Sequence, residues 1–171
     1  MDKFFTCRLS LKKDENMKKI TILFYFLISF QITVAQDTCD NAPTIGVGTH
    51  TVAAVNGTQI PTPDCIGSGN PTAGEWYKYI PTQAYTVTVT TDLTANICKD
   101  TRLHIYGGTC TSLSCIASDD DSGVLQCNSG NTNSYLSTVT FNVTAGTTYY
   151  IAFDNRWSSA GFDFQIIRDL L

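Results

Sequence analysis

The chain carries none of the compact signatures by which catalysis is read from sequence. Its 171 residues contain no Gly-x-Ser-x-Gly elbow, no His-Glu-x-x-His helix and no Gly-rich phosphate loop. General bases are scarce, since His50 and His104 are the only histidines. His104 lies between Leu103 and Ile105 in an alternating segment, so it is expected to face outward from a sheet. From Gln36 onward Glu75 is the only glutamate against eleven aspartates, which makes a glycosidase carboxylate pair a poor reading. The chain is therefore expected not to be an enzyme.

Positive charge is also sparse. From Gln36 onward five basic residues stand against twelve acidic ones, a formal charge of −7. Nucleic acid is excluded as a partner, because phosphate would meet repulsion and no basic stripe.

A membrane-length apolar run is lacking too. The apolar stretch Ile20 to Phe30 falls short of the about 20 residues that a spanning helix needs. It follows Lys18-Lys19 and ends in Thr33-Val34-Ala35, the layout of a signal-peptide helix cleaved after Ala35. On this reading no membrane span remains after cleavage, and the product is secreted or held at the cell surface. Residues 1–16 are polar and basic and precede Met17, so they are read as a disordered, over-extended start. Residues 17–35 are the signal peptide and 36–171 the folded domain.

Seven cysteines is an awkward number for an exported protein, and removing Cys7 leaves six. Zinc is excluded by the lack of any Cys-x-x-Cys pair and by histidines far from the cysteines. Six paired cysteines allow 15 connectivities. Cys110 and Cys115 bracket a four-residue loop and are expected to close it. Cys98 and Cys127 flank strands that end near an acidic loop, which leaves Cys39 with Cys65.

Strand signals recur between Gly- and Pro-marked turns, and no helix-period stretch competes. Expected strands are His50–Val55, Glu75–Ile80, Tyr85–Thr91, Arg102–Tyr106, Ile116–Ser118, Ser137–Thr144, Thr147–Asp154 and Phe162–Ile167. Val87 and Val89, Leu103 and Ile105, Val139, Phe141 and Val143, and Phe162, Phe164 and Ile166 form the inward faces. Residues 119–133 make a long surface loop. So many short strands require two layers. The expected fold is an all-β, disulfide-braced antiparallel sandwich, jelly-roll-like, with an Ig-like arrangement as the alternative.

Several phrases are familiar. Asp100-Thr101-Arg102-Leu103-His104-Ile105-Tyr106-Gly107-Gly108 precedes Cys110 and Cys115. Asp119-Asp120-Asp121 follows, and then Val139 through Ile151. With Asp37–Ala42 and Glu75–Tyr79 they resemble the pre-peptidase C-terminal (PPC) domain found in secreted proteins of Bacteroidetes. The resemblance implies a non-catalytic jelly-roll module, usually appended to secreted peptidases and other surface enzymes, that binds substrate or matrix and in some members calcium. No enzyme or sorting domain follows Leu171, so a stand-alone module and a fragment of something longer are both open.

Asp119-Asp120-Asp121 is the sharpest chemical feature. Adjacent carboxylates repel unless solvated or neutralised, and Ca²⁺ takes oxygen ligands from flexible loops. Asp119, Asp120, Asp121 and Asp100 are the candidate calcium ligands, ahead of Asp92 and Asp154; a solvated acidic loop is the plainer reading. Trp157, flanked by Asn155 and Arg156 in a turn, is the candidate contact for a sugar ring or peptide side chain. Trp76 is expected in the core. The function expected is a secreted binding or adhesion module contacting carbohydrate or a protein matrix, with calcium as its stabilising ion. A structural accessory domain of a larger exported enzyme is the alternative.

Overall fold

The computed structural model describes residues 36–67, 69–128 and 133–169. The expected mis-assigned start and signal peptide lie outside the described residues.

All eight expected strands form, some longer than expected. They are β2 (Gly48–Ala54), β3 (Gly74–Tyr79), β4 (Tyr85–Thr90), β5 (Arg102–Thr109), β6 (Ser112–Asp119), β7 (Thr138–Val143), β8 (Tyr149–Asp154) and β9 (Ala160–Asp169). A two-residue β1 (Thr44–Ile45) runs parallel to β3, and a 3-10 turn spans Thr94–Asn96. One sheet has the order β1-β3-β8-β5-β6 and the other β2-β9-β4-β7. Apart from β1, every pairing is antiparallel. Among the eight longer strands, the second, seventh, fourth and fifth form one sheet, and the first, eighth, third and sixth form the other. That interleaving is a jelly roll, and it decides between the two arrangements that periodicity left open.

The inward faces pack as alternation requires, since successive side chains of a strand point to opposite sides. Phe153 of the first sheet meets Phe162 and Phe164 of the second at 4.8 and 5.1 Å between ring centroids, and Tyr77 meets Phe164 at 4.9 Å. Val87, Val89, Leu103, Ile105, Ile151 and Ile166 fill the space between. Each such side chain contributes about 1.5–3 kcal/mol when fully withdrawn from water. The outer face of the second sheet is a threonine ladder, with Thr88 Oγ1 and Thr140 Oγ1 at 2.7 Å and Thr90 Oγ1 and Thr138 Oγ1 at 2.6 Å across β4 and β7.

The outer face of the first sheet is covered over β3, β8 and β5, while the β6 edge stays exposed. Trp76, Tyr106, Tyr150 and Ala152 form a second apolar cluster there with Cys39 and Ala42. Covering segments from residues 36–43 and 59–67 lie over it. Gln36 O accepts from Trp76 N, Asp37 O from Gln59 N, and Tyr106 Oη donates to Pro63 O. Gly57 permits the approach of these segments, because a Cβ there would stand 2.1 Å from Gly74 O and 2.6 Å from Asp37 Cα.

Two cystines hold the cover down, and here the expected pairing is corrected. The bridges are Cys39–Cys110, Cys65–Cys115 and Cys98–Cys127. Only the last agrees with the expected pairing; Cys39–Cys65 and Cys110–Cys115 do not form. Residues 110–115 are not a loop. Cys110 sits in the two-residue turn of the β5–β6 hairpin, while Cys115 lies opposite Tyr106 on the returning strand. At about 3.3 Å per strand residue the two are out of disulfide reach. Each instead bonds to the segment crossing above it. Gly108, with φ +96°, makes the hairpin possible, since a Cβ would lie 2.3 Å from Ser112 O.

The same cover corrects the reading of His104. It points away from the sandwich core as alternation predicts, yet it is 0% exposed. Trp76 is buried as expected, but in this outer cluster rather than between the sheets.

Candidate functional site

Antiparallel pairing brings strand starts next to strand ends. At one end of the first sheet, Gly74 of β3 and Arg102 of β5 both pair with Asp154 of β8, and Leu103 pairs with Asp119 of β6. The flanking segments 99–101, 120–125 and 155–157 therefore converge.

Beneath them lies a buried ionic network. Arg102 Nη1 donates to Asp154 Oδ2 at 3.0 Å and Nη2 to Asp64 Oδ1 at 3.2 Å, while Nε lies 3.8 Å from Asp120 Oδ2. His104 Nε2 lies 2.8 Å from the same Asp154 oxygen, and Asp154 Oδ1 accepts from Arg156 N. A buried guanidinium survives only with such partners. Burial acts to raise the pKa of Asp64, but the N–H groups of Ile66 and Gly67, and then Arg102, outweigh it and hold the pKa below the ordinary value.

Above the network, Asp100, Asp120 and Asp121 each offer an oxygen, all within 4.8 Å of one another. Burial, then Asp120 and Asp121, pushes the pKa of Asp100 up to about 6. Burial also raises Asp120, against the opposing pull of the Trp157 hydrogen bond and Arg102. Asp121 is raised by burial and then by Asp120 and Asp119. Asp100 Oδ1 and Asp120 Oδ1 are withdrawn from solvent without a hydrogen-bond partner. An all-oxygen, anionic set with unsatisfied atoms suits a hard cation such as Ca²⁺.

Three of the four candidate calcium ligands thus come together and the fourth does not. Asp119 is occupied in the loop framework, accepting from Ser122 N at 3.1 Å and Thr138 N at 2.7 Å. Asp92 holds the same loop from the other side by accepting from Val124 N and Leu125 N. Asp154 is committed to Arg102 and His104. Near the loop's other end the Cys98–Cys127 bridge ties it to the segment that carries Asp100.

Trp157 is 55% exposed, and its Nε1 donates to Asp120 Oδ2 at 3.2 Å. The Arg156 guanidinium lies 4.4 Å from the ring centroid, a cation–π contact that helps to fix the ring. Asn155 has a different occupation from the one expected. Its Oδ1 accepts from Thr72 N and Ala73 N, and its Nδ2 donates to Thr72 Oγ1, so it ties a loop rather than offering a free contact. Sequence reasoning missed Asp64 and the role of Arg102. A lone arginine opening an alternating strand was the available signal.

No protein-family model and no curated protein matches the chain. Among solved structures it is similar to the pre-peptidase C-terminal domain of a collagenase from Bacillus anthracis. That match has 12% identity and a TM-score of 0.42 and covers 75% of this chain and 94% of that one. Likeness of that degree carries no functional weight, and the architecture rests on the strand order itself.

Proposed function

We propose that the chain is an exported, non-catalytic binding module of PPC type, stabilised by calcium at Asp100, Asp120 and Asp121, that contacts carbohydrate or a protein matrix through Trp157 and Arg156. One observation carries this reading: a single carboxylate, Asp120, belongs both to the acidic triad and to the hydrogen bond that orients the exposed indole. Calcium neutralises the triad and cross-links the 99–101 and 120–125 segments; the protein's part is to hold three oxygens where none can pair with another. Trp157 then presents a broad apolar face at little conformational cost.

Export is supported by three cystines, which persist in oxidising compartments. A non-catalytic role is supported by the occupation of both histidines, since His104 is sealed beneath the cover and His50 Nε2 lies 2.8 Å from Gly46 O. Calorimetric titration with Ca²⁺, followed by a glycan and matrix-protein array probed with calcium and with chelator, tests the proposal. Saturable heat and calcium-dependent capture are expected. No heat and no shift in melting temperature would remove calcium, and capture that ignores Trp157→Ala would remove the platform.

A further inference from the structure

Gln36 is already built into the fold: its carbonyl accepts from Trp76 N at 2.9 Å, and its side-chain Oε1 accepts from Tyr77 Oη at 2.9 Å. The next residue is equally fixed, with Asp37 O accepting from Gln59 N. The sequence reading puts the leader cut directly before this residue, between Ala35 and Gln36. A cut there makes a structurally anchored glutamine the first residue of the mature protein.

We propose that Gln36 is a modification site, closing after export to an amino-terminal pyroglutamate, with the Tyr77 hydroxyl activating the side-chain amide. This rests on the export reading above. The chemistry needs no oxidant and no co-reactant. The neutral α-amino nitrogen attacks Cδ of its own side chain, forming a C–N bond in a five-membered lactam. The Cδ–Nε2 bond breaks, the α-nitrogen gives up a proton, and Nε2 leaves as ammonia. An α-amino group with an ordinary pKa of about 7.7–8.0 is partly neutral at physiological pH. Ring closure is intramolecular, so no encounter is required.

Tyr77 contributes at the point where charge develops. As nitrogen adds to Cδ, the electrons of the carbonyl move onto Oε1, the atom to which Tyr77 Oη donates, and a donor placed there stabilises the oxyanion. Burial, and then Glu75, hold the phenol well above its ordinary pKa, so it keeps the proton it needs. The lactam retains Cδ=Oε1, and the hydrogen bond can survive the reaction. The product has no α-ammonium, which closes the chain's free end to aminopeptidases.

The test is mass spectrometry of the first peptide of the full chain exported by a bacterial host, sampled at intervals after a pulse of synthesis. The expected result is a peptide beginning at residue 36 and lighter than its linear form by one ammonia. The Tyr77→Phe variant should cyclise more slowly by about fivefold, the worth of one neutral hydrogen bond. The wild-type protein should also outpace a synthetic peptide of residues 36–41, a comparison that holds even if the variant misfolds. A first peptide that begins at Gln36 and stays linear would overturn the proposal while leaving export intact. A first residue elsewhere would overturn the cleavage site and the proposal with it. Equal rates in protein and peptide would remove the role of the fold.

Discussion

Arg102 and Asp154 meet at 3.0 Å with side chains 0% and 1% exposed, so the end of the sheet that carries the acidic triad is built on an ion pair sealed from water. Truncating one partner leaves the other charged and buried. Asp154→Ala should cost about 3–5 kcal/mol, read as a lower denaturant midpoint. The calcium binding proposed for the triad should weaken with it, because the guanidinium that also faces Asp64 and Asp120 is no longer held in place.

The acidic triad makes stability pH-dependent in an unusual direction. Asp100 has a folded pKa of about 6, above its ordinary 3.8, so between these values the folded state holds a proton that the unfolded chain releases. Stability from this group is therefore greatest at low pH and falls as pH rises toward and through about 6. Asp120 and Asp121 are raised and act in the same direction. Asp64 is lowered and acts in the opposite direction, its contribution being lost only as pH falls toward and below its ordinary value. In chelator, melting temperature should be higher near pH 5 than near pH 7.5, Asp100→Asn should flatten the difference, and calcium should abolish it at neutral pH.

Trp157 offers a direct optical readout. Its indole nitrogen is bonded to Asp120, whereas Trp76 donates to Gln59 O within the covered cluster. Calcium binding should shift Trp157 emission alone, and Trp157→Phe should erase the change. As an exposed side chain its replacement should alter stability by no more than about 0.5 kcal/mol, so a loss of ligand capture would report binding and not folding.

Non-reducing peptide mapping should recover Cys39–Cys110 and Cys65–Cys115. Replacing Cys39 and Cys110 by alanine opens a closure of 71 residues and should cost about 4 kcal/mol. The protein should then bind hydrophobic dyes through the uncovered Trp76 and Tyr106.

Much of the sandwich is legible in the sequence because period-two alternation is a local property. Val87 and Val89, or Phe162 and Phe164, declare their face with no help from distant residues. The strand order is not local, and the alternation of β5 shows where such reading stops. Arg102, His104 and Tyr106 share a face that alternation assigns to the outside, and only the segments around Cys39 and Pro63 turn that outside into an interior. The site was half legible for the same reason. Adjacent Asp119, Asp120 and Asp121 stand out in the sequence, but the backbone N–H groups of Ser122 and Thr138 remove the first of them from the triad. Asp64, which completes the Arg102 network, lies 38 residues before it.

The β5–β6 hairpin is where both covering segments are fastened covalently, and it is made late. Cys39 and Cys65 precede Cys110 and Cys115 in the chain, so under oxidising conditions an emerging chain can first join them to each other. Native pairing then requires that such a bridge be exchanged for Cys39–Cys110 and Cys65–Cys115. Oxidative refolding should therefore be faster with a thiol-shuffling catalyst, and without one a mis-bridged species with Trp76 exposed should accumulate.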